Sequence, residues 1–294
     1  MLAASTYTAH SAPEAAAPVR TVTAGVRAAY LWPLFLLCTG LALALLLFSG
    51  DTGKFFVWTV RSPLTAATIG AYYASAAALF AESLRQRRWV DARMGVHLSL
   101  LQLLIMLTVT LFNYDKIHLI DTNSTSFVGA WLWLVVHIVF PVIALTLLGA
   151  QAQTPGVNPP RREAMPVPLV VPLAAVCLAA TALGLAMLVV PERLVDLWPW
   201  QASPLDLRAM GAWTLVYGLG TGWVIREGEP ERMRAGATAV CALGVVALVT
   251  VVGFFEEIDW SRESVWVYVS VMMLLVLVGL FGRFLANQPP QDDA

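Results

Sequence analysis

Runs of roughly 20 mostly apolar residues recur along the chain, the length a helix needs to cross a bilayer core where no backbone amide can find water. Eight stretches qualify: Ala28 to Phe48, Leu64 to Ala81, Met94 to Phe112, Val128 to Ala150, Leu169 to Val190, Leu207 to Ile225, Ala235 to Phe255 and Val265 to Phe284. Composition points the same way, with 59% hydrophobic and 13% charged residues, against about 25% charged in an average soluble domain. The expected fold class is an all-α membrane protein with about eight transmembrane helices.

Charge is distributed by side. Alternate gaps and the termini carry Arg20, Arg27, Arg85, Arg87, Arg88, Arg93, Arg161, Arg162, Arg226, Arg232, Arg234 and Arg283, whereas the other side has Lys54, Arg61, Lys116, Arg193, Arg208 and Arg262. Cytoplasmic loops keep the excess of Lys and Arg, so both termini are expected inside the cell. Arg greatly outnumbers Lys and Ala is abundant, which fits a GC-rich bacterial genome and hence a bacterial inner membrane. A net charge of -1 gives no basis for nucleic-acid binding. Cys38, Cys177 and Cys241 lie far apart within apolar runs and read as small packing residues.

A repeat governs the order of these segments. Trp58 to Ala71 reads WTVRSPLTAATIGA, and Trp200 to Ala212 reads WQASPLDLRAMGA. Shifting the chain by 141 positions superposes Ser62, Pro63, Leu64, Gly70, Ala71, Arg85, Arg93 and Gly95 on Ser203, Pro204, Leu205, Gly211, Ala212, Arg226, Arg234 and Gly236. After a shorter second loop, Trp131 and Trp133 align with Trp266 and Tyr268. A unit of four helices is even, so both copies insert the same way up, as parallel tandem repeats related by an axis along the membrane normal. The expected divisions are a disordered cytoplasmic tail (1–27), a first repeat (28–150), a Pro-rich cytoplasmic linker (151–168), a second repeat (169–285) and a C-terminal tail (286–294).

Small residues four apart mark close helix contacts in lipid. Gly70, Ala74 and Ala78 form such a ridge in the second apolar segment, Gly218 and Gly222 in the sixth, and Ala180 and Gly184 in the fifth. The second and sixth helices are therefore expected at the centre of their bundles.

Ionisable groups deep in a span are functional candidates because charge there is costly. His137 is such a residue, with a satisfied core histidine as the plainer alternative. On the outer side, Trp58 and Arg61 precede the second helix, while Trp198, Trp200 and Arg208 surround the start of the sixth. Such aromatics anchor a chain at the interface, and one set per repeat could also frame an outward-facing cleft. These six residues are the ligand-binding candidates. No catalytic, metal or cofactor motif is expected; Asp115, Lys116, His118 and Asp121, like Glu256, Glu257, Asp259 and Glu263, read as solvated loop charge.

Pro191-Glu192 after a helix, then Leu197-Trp198, then Arg208 before Gly211-Ala212-Trp213, resembles DoxX-like four-helix bacterial membrane modules. The stretch from Trp58 to Ala71 is similar to a motif of an uncharacterised actinobacterial multipass family. The DoxX resemblance implies quinone-dependent oxidation in some relatives; the first copy has Ser49-Gly50 and Ala67 where the second has Pro-Glu and Arg, so no residue role carries over. The leading expectation is a non-enzymatic protein, embedded in the lipid bilayer, that binds or transports a hydrophobic or amphipathic small molecule between its repeats. The alternatives are a membrane subunit of a quinone-linked redox complex, using His137, and a structural partner of another membrane protein.

Overall fold

A computed structural model describes residues 18–120, 124–161 and 165–288. The helices are α1 (Trp32–Leu47, continuing a π-helical turn, Val26–Leu31), α2 (Thr52–Phe55), α3 (Pro63–Arg85), α4 (Trp89–Phe112), α5 (Ser124–Ala152), α6 (Val167–Val189), α7 (Pro191–Leu194), α8 (Pro204–Glu227), α9 (Arg234–Gly253) and α10 (Glu263–Ala286). Among the described residues, extended pairing is limited to two isolated bridges, Val19 with Val157 and Thr21 with Arg88.

Among the described residues, seven helical stretches are long and apolar enough to cross a membrane. The chain is thus an all-helical protein with the elements of a multipass membrane protein. The sixth segment of the expected eight, which forms α8, is not among the seven. At 24 residues α8 is as long as the others, but Asp206, Arg208, Arg226 and Glu227 lower its hydropathy. Its neighbours supply the reason: α8 packs along α6 and against α4, with Leu207, Met210 and Ala212 buried, so it does not need lipid-facing apolar surface all round.

Both helices that follow the duplicated motif start in the same way. Ser62 caps α3 by accepting from the Thr65 amide at 3.3 Å, and Ser203 caps α8 by accepting from the Asp206 amide at 3.2 Å. Pro63 and Pro204 occupy the first turn, where a missing N–H costs nothing. In α8 the cap is reciprocal, because Asp206 Oδ2 accepts from the Ser203 amide at 2.8 Å. Gly228, at φ 60°, ends α8 in the left-handed conformation that glycine adopts without steric cost.

The small-residue ridges lie where backbones meet. A Cβ on Gly184 would stand 2.4 Å from the Leu215 amide nitrogen, and one on Gly218 would stand 2.6 Å from that of Thr181, so α6 and α8 touch backbone to backbone. The contact of α3 with α1 is looser: a Cβ on Gly70 would meet Leu45 Cβ at 3.1 Å. Most of α3 is buried, between α1 and α9.

Between α3 and α8 the packing is aromatic. Tyr72 stacks on Trp213 with centroids 6.1 Å apart, and Tyr73 meets the same indole edge-on at 5.4 Å. Tyr72 OH lies 3.2 Å from Thr214 Oγ1, and Ser75 Oγ lies 2.5 Å from Tyr217 OH. These pairs advance together along both helices, so α3 and α8 run parallel and in register.

At the Arg-rich end, ion pairs join the α3–α4 and α8–α9 connections. Arg88 bridges Asp91 at 2.6 Å and Glu231 at 2.5 Å, while Glu227 takes both Arg93 and Arg232. The N-terminal strap packs at this end: Arg20 and Val22 donate their amides to Val157 O and Arg87 O, each at 3.0 Å, and Val22 and Val26 are buried. The packed part of the N-terminus therefore begins inside the stretch expected to be a tail; residues 1–17 and Arg162 lie outside the described residues.

Candidate functional site

Each of α3 and α8 is preceded by a lead-in segment containing a short helix followed by two aromatic residues, Phe56 and Trp58 in the first and Trp198 and Trp200 in the second. Phe56 and Trp58 stand 4.6 Å apart, and Trp133 of α5 meets Trp58 edge-on at 5.8 Å and 86°. In the second half, Trp198 and Trp200 stand 6.0 Å apart, and Tyr268 of α10 meets Trp200 at 4.7 Å and 76°. The positions correspond one to one, and edge-on packing is the arrangement aromatic quadrupoles favour.

Their polar edges differ. Trp58 Nε1 donates to Asp206 Oδ1 at 2.8 Å, crossing from the first half of the chain to the second. Asp206 is only 2% exposed, and its other oxygen accepts from the Ser203 amide and hydroxyl at 2.8 and 2.7 Å. A buried carboxylate is tolerable when donors surround it, and three do so here. At the matching position stands Thr65, whose hydroxyl donates to Gln201 O at 2.6 Å. Among the described residues, the buried indole nitrogens of Trp198 and Trp200 meet no hydrogen-bond partner.

Where the lead-in segments meet, a cleft of about 530 Å³ opens. One wall is Trp58, Thr59, Arg61 and Ser62, the other runs from Gln201 to Asp206, and Lys116 and His118 close one side. His118 is tied to the first wall: its amide donates to Val57 O, its Nδ1 donates to Phe56 O, both at 3.0 Å, and its Nε2 lies 3.1 Å from Thr59 Oγ1. Arg61 and Lys116 are exposed, and neither has a carboxylate within ion-pair distance among the described residues. The cleft thus joins an indole and the side chains of Ala202 and Leu205 to a rim of hydroxyls, an amide and two cations.

Of the six candidates, Trp58 and Arg61 line this cleft. Trp198 and Trp200 pack behind its second wall, against Tyr268. Arg208 lies on the flank of α8, donating to Glu192 at 2.8 Å and to Asn113 Oδ1 at 3.3 Å. The Glu192 carboxyl sits below the usual carboxylate range, held there by its own backbone amide and by Arg208. His137 is 6% exposed, stacks on Trp133 at 4.1 Å, and donates Nδ1 to Trp133 O at 2.8 Å. It belongs to the packing beneath the first aromatic group. Thr59, Gln201 and Ser203 joined the site without being anticipated; the Ser-x-x-Asp capping signature at Ser203 was the available signal.

Among the described residues, no three His, Cys, Asp or Glu side chains gather as metal ligands. No known family, curated protein or solved structure matches the chain.

Proposed function

We propose that the protein binds an amphipathic small molecule in the cleft between the lead-in segments. The observation that carries this reading is the cleft itself, with an aromatic and apolar wall beside two exposed cations that have no carboxylate within ion-pair distance among the described residues, at a junction held by Trp58 and Asp206. An apolar body against Trp58 and Leu205, with a polar or anionic group near Arg61 and Lys116, matches that lining.

The two halves are parallel four-helix repeats, and α8 also crosses, bringing the crossings to eight. Support comes from the matched serine caps, the matched aromatic groups, and the parallel register of Tyr72 with Thr214 and Ser75 with Tyr217. At 1.5 Å per residue, α8 is roughly 36 Å long, sufficient for a hydrocarbon core of roughly 30 Å. The Arg-rich end faces the cytoplasm of a bacterial cell with both termini, and the cleft faces outward. Mid-depth is occupied by Tyr72, Tyr73, Trp213 and Tyr217, which favours binding over passage in this conformation.

The test is to purify the full chain in mild detergent and identify small molecules extracted from it by mass spectrometry. Gln201→Trp, at an exposed cleft position, is expected to lose the bound molecule while keeping the melting temperature. A quinone retained equally by wild type and Gln201→Trp would contradict the cleft and move attention to His137.

A further inference from the structure

A second cavity, of about 280 Å³, lies at the Arg-rich end between the start of α4, the end of α5 and α8. Trp89, Arg93 and His97 come from α4, Leu148 from α5, Trp223 from α8 and Arg20 from the N-terminal strap. The His97 ring sits between two indoles, 6.1 Å from Trp89 and 5.0 Å from Trp223, and its Nδ1 donates to Arg93 O at 2.7 Å. Arg20 and Arg93 each keep a buried Nε that meets no hydrogen-bond acceptor. Arg93 also pairs with Glu227, whereas Arg20 has no carboxylate partner among the described residues. An unmet buried donor is destabilising, and a charged one more so.

The corresponding corner of the second half shows what is missing. The shift of 141 places His97 on Thr238 and Glu82 on Trp223, and the shift of 135 that aligns Trp133 with Tyr268 places Leu148 on Arg283. There the protein occupies its own space: Arg283 donates to Thr238 Oγ1 and lies 3.7 Å from the buried carboxylate of Glu82. In the first half the carboxylate position is Trp223 and the position of the plugging cation is Leu148. The space is left open, lined by Trp89, Trp223 and Leu148 on its apolar side and by His97, Asn158 and the side chains of Arg20 and Arg93 on its polar side.

We infer that this pocket binds a phosphate group, with Arg20 and Arg93 as donors. Guanidinium forks match phosphate oxygens in geometry and charge. The phosphate belongs either to a phospholipid headgroup, whose glycerol and first methylenes would lie against Leu148 and Trp223, or to the free ion. This inference does not depend on the outer cleft holding anything.

Isothermal titration of the full chain in detergent tests it, using a short-chain phosphatidylglycerol and, separately, inorganic phosphate. The two test variants are Arg20→Gln, which leaves the ion-pair network intact, and Leu148→Arg combined with Trp223→Glu, which transplants the Arg283–Glu82 plug. Arg20→Gln is expected to weaken binding by about tenfold or more, as loss of a charge-assisted contact does, and the double variant to abolish it. Saturation by the lipid alone assigns the headgroup; equal saturation by inorganic phosphate assigns the free ion. Failure of both probes to bind wild type, or unchanged binding to Arg20→Gln, overturns the inference. If the double variant does not fold, Arg20→Gln alone decides.

Discussion

The two aromatic groups, Phe56 with Trp58 and Trp133, and Trp198 with Trp200 and Tyr268, are built on matching positions with matching edge-on geometry. Yet one indole hands its proton to a buried carboxylate across the junction, and the two indoles of the other group hand theirs to nothing. The same contrast appears at the Arg-rich end, where Glu82 and Arg283 fill one corner and Trp223 and Leu148 leave its counterpart open. What the halves share is packing, which needs shape alone. Where they differ, polar groups are placed asymmetrically, and both cavities lie at those differences.

The sharpest way to break the comparison is at the helix contacts. Gly184→Ala forces a methyl against the Leu215 backbone and is expected to destabilise by about 3 kcal/mol or more, beyond the usual range for overpacking. Gly70→Ala meets Leu45 Cβ at 3.1 Å, Leu46 Cγ at 3.2 Å and the Ala42 carbonyl at 3.4 Å, contacts that a small helix shift relieves, and should cost about 1 kcal/mol. Thermal unfolding in detergent ranks the two; equal losses would mean that the halves pack alike.

Next in size is the cross-junction bond. Asp206→Ala removes the carboxylate half of the α8 capping box, leaving the Ser203 cap itself, and strands the Trp58 N–H, and should cost about 2–3 kcal/mol. Thr65→Ala leaves the Ser62 cap in place and should cost about 1 kcal/mol. Chemical denaturation curves on both variants check the ordering, and parity between them would remove the asymmetry on which the cleft rests.

Arg61→Gln should change stability by less than about 0.5 kcal/mol, as exposed substitutions do, while weakening retention of an anionic ligand. Finally, cysteines placed at 193 and 226, both exposed and at opposite ends of the α7–α8 region, should label from opposite sides of the membrane. Labelling from the same side would contradict α8 as a crossing.

Much of the fold was legible because lipid imposes a long apolar run on every exposed helix. Nearly all of α6 is of this kind. The exception was instructive: α8 is shielded by α4 and α6, so burial in protein lowers the hydropathy it needs, and its apolar run was reinforced by its likeness to α3. Glycine spacing marked the faces of α6 and α8 that meet, though not that they meet each other, because close approach requires the absence of a side chain. The cleft was legible only in outline. Trp58 and Arg61 advertise themselves as interfacial residues, but the bond from Trp58 to Asp206 depends on which faces of two distant segments meet, and periodicity within either segment does not carry that information. His137 stood out as an ionisable group at mid-span, yet a carbonyl four residues earlier in its own helix satisfies its Nδ1.

The most direct measurement is an experimentally determined structure of the full chain in a lipid nanodisc, read at the junction of the lead-in segments. The binding account predicts ligand density between Trp58 and Gln201, its polar end beside Arg61, with the Trp58–Asp206 bond intact. A collapsed cleft, with the two walls in contact and only solvent near Arg61, would contradict it.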